Sequence, residues 1–181
     1  MGHADGTQAR APNDTRHLFF DVLDWLRNTY RTHRFFTERD VVWTVQKRLL
    51  HEAASRNLHY RVFHNDRMTK GEAKSAPADL VLVDPEDRAH LAIEFKYEPD
   101  HQRVRKEFPA SKFPVVDWKE VTTDIERVQE FVREGFTLRA VSVFVDEGGH
   151  FRRRPAPRGS RWEDWDLTGC DYSVSVLISE A

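Results

Sequence analysis

Hydrophobic positions near the start of the chain recur at helical spacing. Leu18, Val22, Trp25 and Leu26 share one face, with Phe19, Leu23 and Tyr30 beside it, which predicts a helix from His17. Val41, Val42, Val45, Leu49 and Ala53 form the apolar stripe of a second helix. Thr37 offers a capping hydroxyl at its start, Glu38 and Asp40 place acids in its favourable first turn, and the pattern runs out near Asn57. The period then shortens to two. Residues 60–64, 80–83 and 91–97 read as strands, the last two joined by a turn over 84–88. Trp118, Val121, Ile125, Val128 and Val132 restore helical spacing, with Gly135 as the stop. Residues 138–145 and 172–178 return as strands.

The remaining segments lack a period. Residues 1–15 are small and polar and read as a disordered tail, leaving 16–181 as a single mixed α/β domain. Residues 98–117 carry three prolines and read as a long loop, of the kind that is usually functional or mobile. Residues 151–161 form a basic Pro/Gly segment.

Composition narrows the picture. An apolar share of 39%, with five Trp and twelve Phe, is enough to build a core. The formal net charge of −2 gives no global attraction to a polyanion, so such a partner must meet a local basic patch. Cys170 is the single cysteine, which excludes an internal disulfide and a cysteine-cluster metal site. No apolar stretch reaches membrane-spanning length and the polar start lacks the core of a signal peptide, so a cytoplasmic protein without a membrane partner is expected. His51, His59, His64, His90 and His101 match no zinc spacing and read as surface or strand residues.

The candidate chemistry centres on Glu94-Phe95-Lys96. Alternation puts Glu94 and Lys96 on one face of the strand, with Ile93 and Phe95 on the other. If the two central strands form a hairpin that pairs Asp84 with Ala89, Asp79 falls opposite Glu94, ~5 Å away and close enough to share a cation. Leu80 and Leu82 then join Leu91, Ile93 and Phe95 on the opposite face, which supports that register. The second helix runs back against the strand that follows it, so Glu38 at its start approaches the same end. Glu52, ~21 Å further along the helix, does not.

Thr37-Glu38 opening a helix, Pro77-Ala78-Asp79 before an apolar strand and Glu94-Phe95-Lys96 ending the next resemble the PD-(D/E)xK nuclease superfamily. The resemblance spans residues 37–145, includes the Asp124-Ile125-Glu126-Arg127 stretch, and follows the superfamily order of helix, three strands, helix, strand. It implies a restriction endonuclease-like α/β core, a central mixed sheet flanked by helices, extended here by an N-terminal helix and a C-terminal strand. It further implies a Mg²⁺- or Mn²⁺-dependent nuclease acting on nucleic acid, with DNA favoured. Asp79 and Glu94 would ligate the ion and Glu38 a second ion or its water. Lys96 would orient or activate the attacking water and offset charge on the phosphorus. Many members act as dimers, so a homodimer is left open. Arg152, Arg153, Arg154, Arg158 and Arg161, together with Arg103, Arg105 and Lys106, are the candidate phosphate contacts. The alternative is an inactive module of the same fold that binds nucleic acid or a protein partner.

Overall fold

The computed structural model describes residues 13–67, 77–109, 112, 115–169 and 171–181. Its elements are helices α1 (Asn13–Thr29), α2 (Glu38–Ser55), α3 (His101–Glu107) and α4 (Trp118–Arg133), and strands β1 (Arg61–Arg67), β2 (Pro77–Val83), β3 (Ala89–Glu98), β4 (Ala140–Glu147), β5 (Ser160–Trp165) and β6 (Val174–Glu180). The strands form one mixed sheet in the order β1-β2-β3-β4-β6-β5. Only β3 and β4 run parallel, as a crossover through α3 and α4 requires, while the other pairs are antiparallel. β4 is buried along its whole length, in keeping with its nearly continuous apolar run at the centre of the sheet.

Alternation along β2 and β3 divides the core. Leu80, Leu82, Leu91, Ile93 and Phe95 pack with Leu18, Val22, Val45 and Leu49 of α1 and α2. Val81, Val83 and Ala92 turn to the other face and meet Val128 and Phe131 of α4. The result is an α/β fold with an open sheet flanked by helices on both faces. At α2 the start is closed by Asp40, whose Oδ2 accepts from the Phe36 and Thr37 amides at 3.0 and 2.8 Å, which fixes where Glu38 leaves the helix.

Three boundaries differ from the sequence pattern. Asn13, Asp14 and Thr15, read as tail, belong to α1; its first turn is polar, so hydrophobic spacing does not register it. Residues 1–12 of that tail lie outside the described residues. Part of the long loop over 98–117 is helix α3, capped by Asp100, whose side chain accepts from the Arg103 amide at 2.6 Å. With Val104 as its one buried residue, seven residues show no period. The basic segment runs into β5, an edge strand whose charged, largely unburied residues mask its pairing with β6. No helix among the described residues is long and apolar enough to cross a membrane.

A buried polar network joins the ends of β3 and β4 to the segment before α2. The Tyr97 hydroxyl lies 2.5 Å from Glu147 Oε2 and 3.1 Å from the Phe35 carbonyl. Arg103 donates to Glu147 Oε2 at 2.7 Å and to the Phe35 carbonyl at 2.6 Å, and it also reaches Glu107 at 3.1 Å. This corrects the reading of Arg103 as a phosphate contact, since its guanidinium is turned inward to satisfy an almost fully buried carboxylate. Removing one partner of a buried pair leaves the other charge uncompensated. Arg103→Ala should therefore lower unfolding free energy by about 3 kcal/mol in chemical denaturation.

Candidate functional site

The β2–β3 register sets the site. Leu80 pairs with Ile93, Val81 with Ala92 and Leu82 with Leu91, the register expected at this end of the hairpin. At the turn end it slips, so that Val83 faces Ala89 where Asp84 was expected; the irregularity lies far from the acids and leaves their alignment intact. Asp79 Oδ2 accepts from the Phe95 amide at 2.7 Å, which fastens the start of β2 to the Glu94-Phe95-Lys96 stretch.

Around this point the structure gathers four carboxylates and two cations. Lys96 Nζ is 3.2 Å from Glu38 Oε2 and 3.4 Å from Asp124 Oδ2. Arg127 Nη1 is 3.2 Å from Glu94 Oε1, and its Nη2 is 3.1 Å from Asp124 Oδ1. Glu38 thus arrives from the start of α2, as connectivity predicts, and Asp124 and Arg127 arrive from α4. Sequence reasoning assigned no role to these last two. A signal was present, because Asp124 falls at i+3 from Val121 on the apolar stripe of α4, where an acid is out of place.

Burial shapes the electrostatics. Glu94 is 2% exposed, and burial, with the Asp79 carboxylate adding to it, pushes its pKa up to about 8 against the pull of Arg127. Burial also raises Glu38 and Asp124 above the usual carboxylate range, with Lys96 opposing both. For Lys96 burial works toward neutrality, but Asp124 and Glu38 outweigh it and raise its pKa, so it stays an ammonium. Asp124 Oδ2 is buried and accepts no hydrogen bond, although Lys96 faces it.

A cleft of about 420 Å³ opens beside the cluster, lined by Lys96, Asp124 and Arg127 together with Asp117, Lys119, Glu120 and Thr123 from the start of α4. Among the described residues, the metal-capable side chains with three ligand atoms within 4.8 Å of one another are Glu98, His101 and His150. Glu38, Asp79 and Glu94 stand further apart, as a shared neighbourhood around Lys96 and Arg127. His101, read from its spacing as a surface or strand residue with no zinc pattern, begins α3 and meets His150 and Glu98. His150 comes from a loop 49 positions away, beyond any local spacing rule.

The basic candidates divide. Arg105 and Lys106 on α3, and Arg153, Arg154 and Arg158, are exposed. Arg152 is paired with Asp164 at 2.6 Å and Arg161 with Glu163 and Glu180 at 3.0 Å, so both have acidic partners already. The Arg154 guanidinium lies 5.3 Å from the ring centre of Trp118, which stacks on Phe151 and Trp162 at 5.8 and 6.3 Å. A comparison with protein-family models and a search of curated proteins both returned no match.

The Glu94 shift has a definite sign. Its folded pKa lies above the unfolded value, so the folded state holds its proton more tightly. Stability is unpenalised below about pH 4.5 and falls as pH rises through about 8. In chelator, Glu94→Gln should match the parent near pH 4 and exceed it above pH 8 by on the order of 2 kcal/mol in urea denaturation. A variant that is less stable than the parent at both pH values would contradict the burial account.

Proposed function

We propose that the chain is a divalent-metal-dependent nuclease of the PD-(D/E)xK kind, with a restriction endonuclease-like core, hydrolysing phosphodiester bonds of nucleic acid, DNA in the first instance. The observation that supports this most is the charge count at the end of β2 and β3. Glu38, Asp79, Glu94 and Asp124 outnumber Lys96 and Arg127 by two, at largely buried positions beside an open cleft. Such an excess is costly in a fold that needs no ligand there, and a hard divalent cation with oxygen ligands relieves it. The buried Asp124 Oδ2, which faces Lys96 at 3.4 Å without a well-formed hydrogen bond, and the raised carboxyl pKa values fit the same requirement.

Asp79 and Glu94 would hold Mg²⁺ or Mn²⁺, since two carboxylates leave room for water and phosphate oxygens. When bound, the ion would polarise the phosphate and make water a better nucleophile at neutral pH. The chain's own groups supply the rest. Lys96, kept protonated by Glu38 and Asp124, would neutralise charge that builds on the phosphate, and so acts as a charge stabiliser and not as a base. Glu38, its pKa raised by burial and its side chain beside Lys96, would accept the proton from the attacking water. Arg127 would hold Glu94 in place and line the cleft beside the scissile phosphate. Exposed Arg154 on the Trp118 ledge, with Arg153, Arg158, Arg105 and Lys106, would follow the backbone beyond the cleft.

A panel of plasmid, duplex and single-stranded DNA with RNA controls, incubated with Mg²⁺ or Mn²⁺, tests this reading. Cleavage is expected in the parent and absent in chelator. It should fall by about 10²–10³-fold in Lys96→Ala and below detection in Asp79→Ala. Cleavage that persists equally in both variants would sink the assignment. Nucleic-acid binding with no cleavage under any condition would favour the inactive-module alternative.

A further inference from the structure

The geometry points to a second metal site, separate from the acid cluster and held by Glu98, His101 and His150, which takes a divalent ion of the zinc class. Two imidazoles and one carboxylate are a donor set that suits Zn²⁺ and leaves a fourth position open. Their ligand atoms all lie within 4.8 Å of one another. A tetrahedral ion with bonds of about 2.1 Å asks for separations of about 3.4 Å. His101 Nε2 contacts Glu98 Oε1 more closely than that, so an ion would replace this contact as the two groups separate and the exposed His150 ring turns in.

Several observations show a site that is built and not incidental. Glu98 is 1% exposed, and its second oxygen is fixed by the Val116 amide at 2.6 Å, so the carboxylate is held with Oε1 directed at His101. The two imidazoles stack with ring centres 4.0 Å apart and planes at 25°, which brings both rings to the same point. The β4–β5 connection is shaped to deliver His150: its amide and that of Phe151 donate to the fully buried Asp146 at 2.9 and 2.7 Å. Gly148 turns there at φ +96°, where a Cβ would come within 2.7 Å of Asp100 Oδ2 and 2.8 Å of His150 Nε2. That close passage brings a further carboxylate alongside the same imidazole.

The local charge also favours a cation. Glu98, Asp100, Asp146 and Glu147 crowd the ends of β3 and β4, and Arg103 is bonded among them, on Glu147. Zinc here would tie the start of α3 to the loop that begins the basic segment carrying Arg153, Arg154 and Arg158. It would thereby fix that segment beside the cleft, whether or not the acid cluster is a nuclease site.

Tag-free full-length protein titrated with Zn²⁺, and with Co²⁺ as a visible-absorption reporter, tests the inference. One equivalent should bind with Kd at or below the micromolar range, and Co²⁺ should develop the absorption bands of an imidazole-containing site. His150→Ala, at an exposed position, should weaken Zn²⁺ at least tenfold, and His101→Ala likewise. With millimolar Mg²⁺ present to occupy the acid cluster, Zn²⁺ binding should persist, and His51→Ala should leave it unchanged. Absence of stoichiometric Zn²⁺ binding would overturn the site. So would binding that survives both histidine substitutions, or binding lost in Glu94→Gln with a native melting profile.

Discussion

The candidate site depends on how β2 pairs with β3. With Leu80 opposite Ile93, the start of β2 lies beside the end of β3, and the hydrogen bond from the Phe95 amide to Asp79 Oδ2 holds it there. A shift of one residue would reverse the faces, sending Asp79, Val81 and Val83 toward α1 and α2 and their leucine neighbours toward α4. The two apolar clusters prevent that shift, because each face of the hairpin is committed to a different helical layer. The same burial that stabilises the sheet therefore also sets the spacing of the acids.

Once the register is set, electrostatics follows from burial. Carboxylates drawn from β2, β3, α2 and α4 meet where water is scarce, and burial, with the Asp79 charge adding to it, raises the proton affinity of Glu38, Glu94 and Asp124. Lys96 and Arg127 offset part of the excess, and each bridges two acids from different elements. This arrangement costs folding free energy, a pattern familiar where function and stability are opposed. Under the proposed reading a divalent ion removes the cost, which makes metal binding and stability two measures of one interaction.

How much of this could be read in the sequence depends on how local each signal is. The alternation of Leu80–Val83 and of Leu91–Tyr97 carried the register at the site end, and the capped start of α2 carried the approach of Glu38. The bulge near the turn was hidden, because the residues on either side of it suit both pairings. Helix α3 and strand β5 were missed for opposite reasons: α3 is too short to show a period, and β5 is an edge whose residues stay largely out of the core. Arg103 reads as a surface base in sequence, and only the fold shows Glu147 waiting for it. Asp124 was legible as a misplaced acid on an apolar stripe, whereas the meeting of His101 with His150 depends on the start of α3 and the β4–β5 loop, which only the folded sheet brings together.

The titration of Glu94 tests the central claim most directly. Carboxyl-carbon NMR, with Glu94→Gln used for assignment, reads its midpoint in the folded protein with chelator and again in saturating Mg²⁺. A buried carboxyl that serves as a metal ligand should titrate at about 8 in chelator and move down by more than about one unit with Mg²⁺, as the ion replaces the proton. The same midpoint in both conditions would contradict a cation site at the end of β2 and β3.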